Sequence, residues 1–195
     1  MVDTLHTVDQ GVASHVLGNV MWLYAIVRRV FGAGGTQESA INALQRHLDE
    51  WYKNNRVAKE SCLQGKLTIE RIRSSKGWPK LKAKAACTRH LAAYAVHLAQ
   101  RFGTAEDRPV MAVCQDLLRL YQILDSEPMF LSPSAKLAIS KVGTRLATLY
   151  SSLAQSALES RQRMWKLMPK LHIFASVRVA SHCIRQSTIL LDVRR

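Results

Sequence analysis

Asp3, His6 and Asp9 stand at intervals of three residues just ahead of a long apolar stretch. On a helix that spacing brings Asp3 and His6 together, with Asp9 a further turn away. Two carboxylates and an imidazole in one place can hold a divalent cation or orient a neighbouring carboxylate. By themselves they make an incomplete metal site, because nothing nearby in the sequence supplies further ligands or excludes water. The plainer role for such residues at a helix entrance is capping and solvation. Elsewhere the metal-binding patterns are missing. Cys62, Cys87, Cys114 and Cys183 form no Cys-x-x-Cys pair and read as reduced, mostly packed thiols. His90 and His97 lie two helical turns apart, which suits packing better than joint ligation.

Charge supplies the second kind of chemistry. The chain of 195 residues carries 28 Lys and Arg against 14 Asp and Glu, a net charge of +14, so polyanions are natural partners and their binding should depend on salt. The excess is concentrated between residues 53 and 89, where Glu60 and Glu70 are the only acids. Lys80, Lys82, Lys84 and Arg89 are read as a cluster near a helix N-terminus, where the helix dipole adds to their attraction for phosphate. Arg161, Arg163, Lys166 and Lys170 form a second basic segment around Trp165, itself read as a core anchor. Both sets suit phosphate contacts on DNA or RNA with little reading of base sequence. The plainer alternative is a solvated face whose lysines contact nothing.

The elements that must position these residues are helices. With 48% hydrophobic and 22% charged residues the chain has the balance of one folded domain. Residues 11–31 are apolar almost all round at helical spacing, which marks a central helix that Gly32, Gly34 and Gly35 stop. Thr36 caps a second amphipathic helix through Ile41, Leu44, Leu48 and Trp51, forming a hairpin with the first. A short helix over residues 68–74 and a turn at Gly77, Trp78 and Pro79, with Trp78 plugging the core, precede a helix over residues 80–102 closed by Gly103. Pro109 opens the next helix and Pro128 stops it. Pro133 opens the longest, which runs to Trp165 and ends at Pro169. Residues 170–186 can form one more helix.

No signal-peptide pattern is present, and the most apolar run contains Asn19 and falls short of the ~20 residues a membrane span needs. No membrane span and an intracellular location are therefore expected. The glycines after Phe31 follow a helix and lack the Gly-Lys-Ser/Thr ending of a phosphate loop, and neither Gly-x-Ser-x-Gly nor His-Glu-x-x-His occurs.

The string Asp3-x-x-His6-x-x-Asp9-x-Gly11-Val12 resembles the Asp/Cys-x-x-His motif of eukaryotic cut-and-paste (DDE-type) transposases with a ribonuclease-H-like core. In those families the motif follows the second catalytic aspartate and leads into an all-helical insertion domain. The resemblance thus implies a piece of a larger enzyme and a nuclear setting. Pro169-Lys170-Leu171-His172 resembles a helix entrance near the C-terminal side of such cores, yet no acid follows until Asp192. Residues 78–91 and 165–172 also resemble parts of large uncharacterised eukaryotic proteins that share the Asp-x-x-His start. The sheet that would carry the catalytic acids has no counterpart here. Glu106, Glu127 and Glu159 offer no match to the final catalytic glutamate, so no catalytic residue, metal site or cofactor is assigned.

The expectation is therefore an all-α protein: an irregular bundle of five to seven helices. Residues 1–10 carry the motif, 11–186 form one helical domain and 187–195 a tail. Its function is expected to be non-sequence-specific nucleic-acid binding without independent catalysis. The alternative is a protein-interaction or oligomerisation module that buries the helix of residues 12–30 against a missing domain or a second copy. A small metal-dependent nuclease built on Asp3 and His6 is a third reading.

Overall fold

The computed structural model describes residues 8, 11–32, 35–74, 77–128 and 131–167. Within them the protein is all helical, with six α-helices and no strand. These are α1 (Ser14–Trp22), α2 (Gln37–Asn54), α3 (Ile69–Ile72), α4 (Ala85–Phe102), α5 (Arg108–Ser126) and α6 (Pro133–Glu159). The boundary expected at residue 186 and the tail over 187–195 lie outside the described residues.

The all-round apolar pattern of α1 has the consequence expected of it. Val16, Leu17, Val20 and Met21 are essentially inaccessible, and α4 and α5 pack against the helix. Most of the apolar stretch thus finds its cover inside the chain, with Val27 left exposed near its end. α1 continues as a π-helical turn over Leu23–Val27, against which α2 packs back. The turn closes on Arg29, whose φ of 50° is left-handed, so the helix stops before the glycines that were expected to stop it.

Side-chain caps fix the starts of α2 and α6. The Thr36 hydroxyl accepts from Ser39 N at 3.2 Å, and Ser132 accepts from Ala135 N at 3.1 Å with Pro133 in the first turn. The stripe of α5 is buried at Val110, Val113, Cys114, Leu117, Leu120 and Tyr121, and α5 packs between α4 and α6.

Two boundaries depart from the sequence reading. α4 begins at Ala85, because residues 80–84 are extended. There Lys80 N donates to Ile72 O (2.7 Å), Leu81 N to Ser14 O (2.8 Å) and Lys82 N to Arg71 O (2.8 Å). Those tertiary acceptors satisfy N–H groups that the first turn of a helix would have left without an intrahelical partner. α6 ends at Glu159 and does not reach Trp165. Arg161, with φ 53°, sits in the left-handed region while Arg161 N bonds Leu158 O and Gln162 N bonds Ala157 O, a Schellman cap with arginine in the usual glycine place. The chain then folds back over α1.

Candidate nucleic-acid interface

One buried amide joins the two basic segments. Asn19, fully buried in α1, donates through Nδ2 to His15 O (2.7 Å) and Pro79 O (3.4 Å), and its Oδ1 accepts from Trp165 N (2.7 Å). Residues 60 and 146 positions away thus close on the same side chain. The return segment is held again by Tyr150, whose hydroxyl donates to Lys166 O (3.1 Å) and whose ring meets Trp165 edge-on at 5.5 Å. Trp165 is the core anchor expected of it, 4% exposed, and its φ of 56° is unusual for so large a side chain. The strain is retained because the ring, the N–H and the neighbouring carbonyl are all held.

The segment over 77–84 lies close on α1. A methyl at Gly18 would stand 2.6 Å from Lys80 N and 2.7 Å from Leu81 N, so only glycine admits the chain at this distance. Leu81 is buried and Ala83 half-buried, while Lys80, Lys82 and Lys84 are exposed. On an extended chain alternate residues share a side. The three lysines therefore form one row, where a helix would have spread them over several faces. Trp78, expected to plug the core, is half-buried, and it is Pro79 and Leu81 that turn inward.

One further cation, Arg73, and a neutral imidazole, His15, complete the face. Arg73 lies 4.8 Å over the Trp22 ring and donates to Gly77 O, and burial with the nearby Arg163 charge lowers its pKa. His15 is half-buried between Lys80 and Lys166. Desolvation, then the Lys80 charge, lower its pKa to about 4; a hydrogen bond to the Pro79 carbonyl opposes this, and Lys166 adds to it. The imidazole is therefore neutral at physiological pH. Among the described residues its Nδ1 is buried without a hydrogen-bond partner. Pro79 and Trp165, both bonded by Asn19, bring the adjacent Lys80 and Lys166 to the same helix.

The acids are elsewhere. Arg28 pairs with Asp107 (3.1 Å) and Glu106 (3.4 Å), Arg89 with Asp125 (2.8 Å), and Arg145 with the wholly buried Asp116, reached by its Nε at 2.8 and 3.0 Å. Arg71 spends its side chain on the carbonyls of Gln64, Lys66 and Lys82. Among the described residues none of Arg73, Lys80, Lys82, Lys84, Arg163 and Lys166 has an ion pair. Residues 11–32 and 160–167 contain no acid, and residues 66–84 contain only Glu70.

The candidates are thereby sorted. Lys80, Lys82, Lys84, Arg163 and Lys166 stand on or beside one face. Arg89, on α4, is committed to Asp125 and lies 5.6 Å over the ring of Tyr121 on α5, which corrects its grouping with the lysines on one helix. Arg161 is exposed at the α6 cap. Asp3, His6, Asp9, Pro169, Lys170 and His172 lie outside the described residues. Arg73 and His15 were not singled out from sequence. The one signal was Asn19, a polar residue inside an apolar helix.

Among the described residues no three His, Cys, Asp or Glu side chains come together to hold a metal ion. Glu106 pairs with Arg28, Glu127 accepts from Ser132 N (2.8 Å) and Glu159 from Gln155 (2.9 Å), so each has a local structural contact. Cys87 and Cys114 are buried free thiols, Cys62 is half-buried and free, and Cys183 falls outside the described residues. His97 stacks on His47 at 5.5 Å, a packing role, whereas His90 is exposed. No described helix is long and apolar enough to cross a membrane. Comparison with protein-family models, curated proteins and solved structures gives no match for this chain.

Proposed function

We propose that this protein binds nucleic acid through phosphate contacts on the face formed by Lys80, Lys82, Lys84, Arg163 and Lys166, with little sequence readout and no catalysis of its own. The observation that carries this reading is the sorting of charge. The fold pairs Arg28, Arg89 and Arg145 with acids and leaves these cations, from two distant segments, without an ion pair among the described residues. A face of that kind attracts a polyanion by releasing its counterions. The Asp3-x-x-His6 resemblance supports the further proposal that the chain is a helical insertion region from a DDE-type transposase, working on DNA in the nucleus.

The test is fluorescence anisotropy of a labelled oligonucleotide across a salt series. Replacing Lys80, Lys82 and Lys84 together with glutamate should reduce the steepness of log affinity against log salt by about 2 to 3, since each phosphate contact contributes roughly 0.7 to 0.9. Arg89→Ala serves as the control and should leave the slope in place. An unchanged slope in the triple variant, with its helical circular dichroism intact, would sink the assignment.

A further inference from the structure

Trp78 heads the row that the three lysines continue. Residues 78, 80, 82 and 84 alternate with Pro79, Leu81 and Ala83, and the N–H groups alternate as well. Those of Lys80 and Lys82 point to the α3 side and that of Leu81 to α1. The result is one indole followed by three ammonium groups on the same side of an extended chain, at intervals of about 6.7 Å. The row is held firmly. Its backbone is bonded on both sides, Arg71 Nε donates to Lys82 O at 3.0 Å, and Gly18 admits it against α1.

The other indoles have partners. Trp22 carries Arg73 on its face, Trp51 packs between Tyr52 and Tyr94, and Trp165 meets Tyr150. Among the described residues Trp78 belongs to no ring pair and carries no cation, and it is half-exposed beside the lysines.

We infer that the ligand of this row is single-stranded nucleic acid, with an unstacked base on the Trp78 ring and successive phosphates along Lys80, Lys82 and Lys84. This rests on the nucleic-acid reading above and narrows it. In a duplex the base faces are covered by their neighbours and bases are read from groove edges, typically by a helix or a two-stranded ribbon. A single extended segment with an aromatic at its head offers neither. It does offer a base a flat partner and a flexible backbone a line of charge, the combination that binds single strands without sequence preference. Because the row is already fixed, little ordering cost opposes binding.

The experiment compares a labelled oligodeoxythymidylate with the duplex it forms with its complement, using the full chain. The single strand should bind more tightly and quench tryptophan emission. Trp78→Ala should weaken single-strand binding about tenfold, the range base stacking supports, remove most of the quenching, and leave the salt slope and duplex binding unchanged. Trp78→Phe should restore most of the affinity, and equal thermal midpoints would show that the variants are folded. Duplex binding as tight as single-strand binding, or undiminished single-strand affinity in Trp78→Ala, overturns the inference while lysine-dependent binding upholds the broader reading. If neither ligand shows lysine-dependent binding, both fail.

Discussion

Gly18→Ala separates the demands of helix and site. In the interior of a helix, glycine is less favourable than alanine by about 1 kcal/mol, so on α1 alone the substitution should stabilise. The new methyl, however, would lie 2.6 Å from Lys80 N and 2.7 Å from both Leu81 N and Lys80 Cα. All three are backbone atoms and cannot rotate away as a side-chain tip can. To reach ordinary contact distance the segment must retreat by about 1 Å. That stretches the 2.8 Å bond from Leu81 N to Ser14 O beyond hydrogen-bonding range. On the far side the 2.7 Å bond from Lys80 N to Ile72 O resists the same movement, so α3 must shift too.

Overpacking of this kind costs about 1 to 3 kcal/mol and the weakened bond about 1 more. Set against the helix gain, Gly18→Ala should destabilise by about 1 to 3 kcal/mol. Urea unfolding followed by circular dichroism at 222 nm, roughly where helical amides absorb, measures this. The displaced lysine row should also weaken oligonucleotide binding. A variant as stable as the parent, or more so, would refute the close approach of residues 80–81 to α1 and with it the geometry of the lysine row.

Three other expectations rest on separate contacts. His15 ionises in the folded protein at about 4 and in the unfolded chain at its ordinary 6.5, so between those values the unfolded state holds the extra proton. Stability should accordingly fall as pH drops from 6.5 towards 4, by about 2 kcal/mol once solvent access to the half-buried ring is allowed for, and urea midpoints of His15→Asn should lack that component. Asn19→Leu strips the partner from Trp165 N and should cost about 2 to 3 kcal/mol, with earlier proteolysis around residues 160–167 than in the parent; equal cleavage rates would deny Asn19 its joining role. Arg145→Ala leaves Asp116 buried and uncompensated, whereas Asp116→Ala leaves a largely exposed arginine that water can solvate. Thermal unfolding should therefore show the arginine variant as the less stable, by about 2 kcal/mol or more, and the reverse order would contradict the burial of Asp116.

Helical periodicity carried most of the architecture. α2, α5 and α6 begin where Thr36, Pro109 and Pro133 indicate, because capping and first-turn proline act on the local backbone. The start of α4 departs from the local sequence signal for an equally physical reason. Lysine, leucine and alanine are all good helix formers, and Pro79 looks like a first-turn residue. What decides the conformation is a set of acceptors, Ile72 O, Arg71 O and Ser14 O, that the local sequence does not reveal. The alternation of Leu81 and Ala83 with lysines was nevertheless a period-two signal of an extended chain. The end of α6 is not marked in the sequence, because Arg161 occupies the left-handed position where glycine is the usual marker. The meeting of the two basic segments was not legible at all, since it depends on one amide bonding residues 60 and 146 positions away.

That amide also explains why these cations collect where they do. A buried polar side chain in an apolar helix must find partners within the protein. Asn19 finds them in the backbone of two segments that are themselves rich in cations. Bringing like charges together opposes folding: beyond the larger effect of burial, Lys80 and Lys166 disfavour the protonated form of His15, and Arg163 adds to the lowering of Arg73. An acid placed on α1 would have relieved it, as Asp107 does for Arg28 and Asp116 for Arg145, yet residues 11–32 contain none. A bound phosphate backbone would supply that missing negative charge. On this view phosphate binding should stabilise the fold as well as occupy the site, and the stabilisation should diminish with salt in parallel with affinity.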